Sequence, residues 1–478
     1  MLLILALIGL SLLPQGQVQS VKGKIQPVPG VCAVFEQLYD EEGLRIEEFV
    51  GSWRVPGYGY ILLFERERAR VFCESSSGSW EITGEGVFDV EDLYVVREEV
   101  GDLRRLALHP LGTPRTIERL AELPKACLIE TDWAPTRLFE VFAATMTEYY
   151  PFFEERSLDW HAKLAAARKS VNDEMGEKEL FDAICSTLEG LGDRHVSFEA
   201  EINGEGFEYE APGPLISRRI DGMIEDGLGQ QQREAEDMRL FTLMFDSFKK
   251  GVQDRILGGQ GHSRMQHYTW GRVDDEVGYI LITGMVGDGI GTLAKQIETI
   301  HAAFDAIITD LKGVQALVID ITVNGGGMDV VSHAIASHFA DKPRLVYSKE
   351  PGGLPGLRHT IQLAPWSGAR FTGPIFLVSS DMTASAAEIF QLCMKAQPHV
   401  TLVGTQSSSA FSDVVHKPLP NGWYLGMSVE AYRDPNGVCY EAVGVPRDVE
   451  IPVFEGEDLH TTHVQAIEVV LDLARKSY

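Results

Sequence analysis

ALVIDITVNGGGMDVVSHAIASHFA, running from Ala316 to Ala340, decides the fold class. ALVIDIT is short, nearly all apolar and rich in β-branched residues, which is the pattern of a strand buried on both faces. NGGG ends it, and VVSHAIASHFA returns with helical spacing. Three successive glycines permit positive φ and a close approach of backbone N–H groups to a ligand. The same residues also suit a plain strand-to-helix turn. Working outward, VGYILIT from Val277 reads as another buried strand. It is followed by Leu293, Ile297, Ile300, Phe304, Ile307 and Leu311, the apolar stripe of one amphipathic helix. Downstream, PIFLVSS from Pro374 is a strand leading into a helix over about Ser385 to Ala396. TLVG, GWYLGMS and VEIPVF supply further strands, and a last helix carries Val464, Ile467 and Leu471 on one face. Such alternation predicts an α/β core with helices covering both faces of a sheet.

The flanking regions differ in texture. Residues 21–130 are β-rich: YGYILLFERERARVFCE, SWEITGEGVFDV and DLYVVREEV alternate apolar and polar residues, as in a small meander or barrel serving as an accessory or binding domain. Residues 131–200 are helical in spacing and end in LGDRHVSFEA. Residues 201–268 read as an acidic helical insertion, with 12 Asp or Glu against 7 Lys or Arg over 201–260 and one helix in QQQREAEDMRLFTLMFDSFKKGV. Residues 269–478 are the α/β core. At the start, MLLILALIGLSLL stops at Pro14, residues 1–21 carry no charge, and Val18 and Ser20 fit the small-residue rule for cleavage after Ser20. Residues 1–20 are thus expected to be a signal peptide and the protein secreted or periplasmic; a buried first strand or helix is the alternative. The run of ~13 residues is short of the ~20 that span a bilayer, and no later segment approaches that length, so stable membrane insertion is not expected.

Composition narrows the function. A chain of 478 residues with 44% hydrophobic and 23% charged residues is an ordinary globular protein, with room for about three domains. Its 42 Lys plus Arg against 70 Asp plus Glu give a formal net charge of −28, which repels nucleic acid and anionic membranes. Six cysteines (Cys32, Cys73, Cys127, Cys185, Cys393, Cys439) show no CxxC spacing. HExxH is absent, and His460 with His463, or His333 with His338, lack the company of a metal site. No metal or organic cofactor is expected.

Two further turns carry chemistry. In SSDMTASAAEIF, Ser379 to Phe390, a buried strand turns abruptly into a helix at Ser385. A serine there sits at the positive end of the helix dipole, beside the free N–H of Ala386, and could act as a nucleophile. Equally, Ser385 and Glu388 match a capping box. In GDRH, His195 follows a helix and precedes the strand VSF.

Taken in order, L-x-D-x-H, GY-I, D-x-x-x-N-x-GG, T-A-S-A-x-E-I and E-x-x-G-V-x-x-D resemble the C-terminal processing (tail-specific) serine peptidase family. The likeness is to its branch with the tricorn core and interphotoreceptor retinoid-binding protein, without a PDZ domain. It covers roughly residues 135–455, the insertion omitted. The resemblance implies a crotonase-like (ββα) peptidase core with a helical N-terminal subdomain and a separate small β-rich domain. It places the nucleophile at Ser385 and the oxyanion hole at the N–H groups of Ala386 and Gly326. Many members activate the serine with a lysine, but Ala410 stands at that position here; Lys395 and Lys417 fall elsewhere. The tricorn-like branch uses a His and a Glu instead, whose counterparts are His195 as general base and Glu441, in CYEAVGVPRD, as the carboxylate that orients it. Pro446 stands one position earlier than in the family pattern. The implied function is a serine endopeptidase or carboxy-terminal processing peptidase acting on peptides or unfolded chains through an acyl-enzyme. The alternative is an inactive relative that binds a hydrophobic ligand or peptide; a crotonase-like acyl-CoA enzyme is a third reading. The oligomeric state is left open.

Overall fold

Neighbouring residues of a strand face opposite ways, and in the central strands of this protein the two sets feed two different cores. The computed structural model describes residues 47–66, 68–82, 115–128, 133–224, 230–290, 293–455 and 458–477, with the backbone of strands Ala33–Gln37, Tyr94–Glu98 and Arg104–Ala107. The expected signal peptide and Cys32 lie outside the described residues.

The core sheet has seven strands in the order His262–Arg264, Tyr268–Arg272, Val277–Ile282, Ala316–Asp320, Ile375–Ser379, Val400–Gly404 and Val449–Glu450. The first three pair antiparallel and the remainder parallel. Every residue of Val277–Ile282, Ala316–Asp320 and Ile375–Ser379 is buried, as their unbroken apolar runs require. Ile280, Ile282, Leu317, Ile319, Ile375 and Leu377 point to one face, against the helices Leu293–Asp310, Asp329–Ser337 and Ala386–Lys395. Tyr279, Leu281, Val318, Phe376 and Val378 point to the other, against Gln230–Gly251 and Leu459–Ala474. The protein is α/β.

Helix Gln230–Gly251 belongs to the segment read as an insertion, yet its Phe241 and Phe248, with Val252 and Ile256 of the turn that follows, enter the second core beside Val464, Ile467 and Leu471. Its charged surface, with four acidic and four basic residues, hides a narrow apolar face that completes a layer over the sheet. Within the β-rich region, YGYILLFERERARVFCE folds as the hairpin Tyr60–Phe64 and Ala69–Ser75, part of an eight-stranded sheet whose pairs are all antiparallel. Its Trp53, Tyr60 and Phe64 share one core with Phe139, Phe142 and Trp160 of the helical region and with Phe198 and Leu425 of a four-stranded antiparallel sheet. That smaller sheet joins Ser197–Ile202, which follows His195, to Tyr424–Ser428 of the C-terminal part. Among the described residues, no helix is long and apolar enough to cross a membrane.

Candidate active site

Two turns at the C-terminal ends of adjacent parallel strands are bonded together. After Asp320, the chain passes through Thr322 and Asn324 to the three glycines; after Ser379 it passes through Ser380 and Thr383 to Ser385. Thr383 Oγ1 donates to Ile321 O at 2.9 Å, and Ala384 N–H donates to Asn324 O at 3.1 Å. Asp320 anchors its own turn from below. Its carboxylate, fully buried, accepts from Thr322 N–H at 2.9 Å and Tyr279 OH at 2.5 Å, and meets His463 Nε2 at 2.8 Å.

Ser385 sits at the strand-to-helix junction with φ 55° and ψ −127°, a left-handed backbone that non-glycine residues adopt only when the surroundings impose it. Its side chain makes no capping bond. Its N–H donates to Ala410 O at 2.9 Å, and its carbonyl accepts from Glu388 and Ile389 N–H at 2.8 and 3.1 Å. The capping box suggested by S-A-A-E is therefore not formed. Glu388 turns inward, and its two oxygens accept from Ser409 and Ala410 N–H, each at 2.8 Å. Burial pushes this carboxyl up to about 7. Ser409 (φ 63°) and Ala442 (φ 65°) are left-handed too, and Ala442 N–H donates to Ser409 O at 3.1 Å, so three strained non-glycine residues belong to the Ser385 turn and the loop bonded to it.

Ala386 N–H, at the first turn of the helix, donates to no group among the described residues. Gly326 lies against it: with φ +111°, a Cβ there would stand 2.7 Å from Ser385 Cβ and 3.2 Å from Ala386 N. The Gly326 N–H, however, donates to Asn324 Oδ1 at 2.9 Å, while Gly326 O accepts from Met285 N–H at 2.7 Å. Of the two expected oxyanion donors, one is thus free and the other already engaged by its own turn.

His195 is held by its backbone: its N–H donates to Asp193 Oδ1 at 2.9 Å, and Asp193 Oδ2 accepts from Tyr150 OH at 2.8 Å. The ring is 8% exposed and its Nδ1 has no hydrogen-bond partner. Burial lowers its pKa below the usual imidazole value; Arg194 and Arg156 add to this, while Asp193 and Asp413 oppose it. The ring is neutral at neutral pH, the state a proton acceptor needs. Next to it, Arg194 Nη1 donates to Asp381 O at 2.9 Å and to Ser408 Oγ, tying the histidine turn to both the Ser385 turn and the 405–413 loop.

Glu441 does not touch the imidazole. Its Oε1 pairs with Arg156 Nη2 at 2.7 Å and its Oε2 accepts from Phe411 N–H at 3.0 Å. A buried carboxylate takes the strongest compensation within reach, and a guanidinium outcompetes a neutral ring. Burial and the Asp193 carboxylate nevertheless push Glu441 upward, against Arg156. Sequence reading missed Arg156, which nothing in its local context marks. Among the described residues, three lysines in this half of the chain are otherwise engaged: Lys395 pairs with Asp434 at 3.2 Å, Lys349 with Asp413 at 2.7 Å and Glu430 at 2.8 Å, and Lys417 donates to Tyr58 and Gly59 carbonyls. Among the described residues, no three His, Cys, Asp or Glu side chains gather as metal ligands.

A mostly parallel sheet with a strained serine at a strand-to-helix turn, flanked by a glycine turn from the neighbouring strand, defines the class: α/β proteins that present a serine beside an uncommitted helix N–H. Within that class, residues 276–451 match the family model of peptidase family S41, and the chain carries a domain of that family. That stretch holds Ser385, Ala386, Gly326 and Glu441, whereas His195 lies before it.

Among proteins, the chain is 24% identical over 181 residues to the carboxy-terminal-processing protease of Bartonella bacilliformis, covering 38% of this chain and 40% of that one. To the chloroplastic C-terminal processing peptidase of Tetradesmus obliquus it is 26% identical over 152 residues, 31% of this chain and 32% of that one. The matched region thus spans less than half the length of these curated relatives. Among solved structures, a Parabacteroides merdae protein assigned as a peptidase has a TM-score of 0.56 at 23% identity, over 72% of this chain and 97% of that one. Mature CPAF has a TM-score of 0.50 at 13% identity, over 72% and 98%. Both likenesses are of fold.

Proposed function

We propose that this protein is a serine endopeptidase or carboxy-terminal processing peptidase that cleaves peptides or unfolded chains. The observation that carries the reading is the backbone of Ser385: a left-handed serine whose side chain is spent on no cap, beside the free N–H of Ala386. In this mechanism Ser385 Oγ attacks the scissile carbonyl while His195 removes its proton. The oxyanion is received by Ala386 N–H and by Gly326 N–H, shared with Asn324 Oδ1. Collapse passes the proton from His195 to the leaving amine and leaves an acyl-enzyme, which water hydrolyses by the same route. The Ser385 side chain makes no capping bond, His195 Nδ1 has no hydrogen-bond partner, and a buried neutral imidazole suits the base. Glu441 belongs to the same site, acting at one remove from the ring.

The core is read as crotonase-like, with residues 131–200 as the helical subdomain of the peptidase and 21–130 as an accessory β domain. The substrate class follows from the S41 match and from the names of the two curated relatives, both C-terminal processing enzymes. The uncharged leader supports a secreted or periplasmic location.

Labelling of the purified protein with a fluorophosphonate, mapped by intact mass and peptide mass spectrometry, tests the reading. One adduct on Ser385, absent in Ser385→Ala and strongly reduced in His195→Ala, is expected. No adduct from pH 5 to 10, on a scale spanning the ionisation of any histidine base, would refute it.

A further inference from the structure

We propose that Arg156 is a positioning residue of this site: its guanidinium ties the His195 turn to the loop that holds Ser385, and Glu441 serves that tie rather than the imidazole. The inference rests on the peptidase reading above.

Arg156 comes from neither catalytic turn. It lies between the helices Pro135–Tyr149 and Trp160–Ala167, and its side chain is only 7% exposed. Both terminal nitrogens of the guanidinium donate hydrogen bonds, while Nε makes none and has only an ion-pair contact. Nη1 donates to Gly192 O at 2.8 Å, Nη2 to Ser409 O at 3.2 Å and Glu441 Oε1 at 2.7 Å, and Nε lies 3.6 Å from Asp193 Oδ2.

These partners flank both reacting groups. Gly192 and Asp193 stand within three positions of His195, and Asp193 also accepts the His195 N–H. Ser409 precedes Ala410, whose carbonyl receives the Ser385 N–H, and the next residue, Phe411, donates to the second oxygen of Glu441. A continuous path therefore runs from His195 N–H through Asp193, Arg156 and Glu441 to residues 409–411, and from there to the Ser385 backbone. A planar fork can hold several such acceptors at fixed angles, which a lysine ammonium cannot.

The same cation adds to the positive charge around the base, behind burial and Arg194. The groups facing His195 are Asp193, Asp413, Arg194 and Arg156; losing Arg156 leaves the two carboxylates against one arginine. The imidazole of an Arg156→Gln variant then titrates at higher pH. An ion pair with a purely structural role elsewhere would not move that titration.

The test uses the full-length protein and two substitutions, R156Q and R156K, with R168Q at the exposed Arg168–Glu140 pair as control. Fluorophosphonate labelling rates are recorded against pH, and the His195 ring is titrated by NMR. R156Q is expected to label about 100-fold more slowly, the cost of misplacing reacting groups by ~1 Å, with the acid limb of its rate profile and the His195 midpoint both moved to higher pH. R156K keeps the charge and loses the fork; it is expected to keep the midpoint and still lose about tenfold in rate. R168Q matches the wild type.

A folded R156Q that labels within about threefold of wild type with an unmoved midpoint overturns the proposal. Should R156Q fail to fold, R156K decides: a wild-type rate overturns the proposal, a slowed rate at unchanged midpoint supports it. If the wild type itself never labels, the peptidase reading falls. The His195 titration, which needs no turnover, then judges the bridge alone: an upward shift in R156Q supports it and an unmoved midpoint overturns it.

Discussion

Replacing Gly326 by alanine puts a methyl group directly on the proposed nucleophile. At φ +111° its Cβ would stand 2.7 Å from Ser385 Cβ, 2.8 Å from Ala384 O and 3.2 Å from Ala386 N. Carbon atoms in comfortable contact keep about 3.5–4.0 Å, so the two turns must part by roughly 1 Å. Ser385 has no slack to absorb this, because its N–H is held by Ala410 O and its carbonyl by two helix N–H groups. The left-handed backbone itself costs an alanine about 1–3 kcal/mol. A displacement of this size at the reacting atom costs about 100-fold in rate.

Gly422→Ala separates the two effects. Gly422 also has positive φ, +87°, but nothing lies within 4 Å of its would-be Cβ. The assay is the second-order rate of Ser385 modification by a fluorophosphonate, with urea unfolding of each variant. G422A is expected to lose stability and keep the wild-type rate. G326A is expected to lose stability and about two orders of magnitude in rate. If G326A labels within about threefold of G422A, the glycine turn does not press on the nucleophile and the reasoning fails.

Two further variants test the surroundings of the site through pH. Glu388 titrates near about 7 in the folded protein against 4.5 for a free carboxyl, so the folded state holds the extra proton between those values. Stability therefore falls as pH rises from 4.5 through about 7, by up to about 3 kcal/mol. Glu388→Gln is expected to flatten that slope in urea titrations and, by giving up one of two acceptors for the 409–410 N–H groups, to slow labelling about tenfold; an unchanged slope would contradict the assignment. Lys417 behaves oppositely: burial holds its amine at about 8 rather than 10.5, so the unfolded chain binds more protons in that window and stability rises with pH across it. Lys417→Met is expected to remove the rise and leave Ser385 labelling within about threefold, since its amine bonds Tyr58 and Gly59 carbonyls and sits 3.4 Å from the Tyr60 ring centre. A large loss of labelling would instead place this lysine in the chemistry.

What was legible in the chain follows the range of the forces involved. Strands buried on both faces must be apolar throughout, so VGYILIT, ALVIDIT and PIFLVSS announced themselves, and with them the α/β sheet and the turn that carries Ser385. Glu388 was ambiguous because two outcomes satisfy the same local pattern: reaching back to the helix start, or reaching 21 and 22 residues forward to a loop with bare N–H groups. Only the fold decides which donors lie nearer. The helix Gln230–Gly251 hid its role for a similar reason, since a few buried residues such as Phe241 and Phe248 suffice to cover a sheet while much of the remainder stays polar and charged. Arg156 left no local trace at all. Its partners are 36, 253 and 285 residues away, and a guanidinium can be buried anywhere the topology happens to bring carbonyls and carboxylates together. The same competition explains Glu441: motif order suggests it as the partner of an imidazole, but the choice of partner is made by charge and geometry, and an arginine holds it.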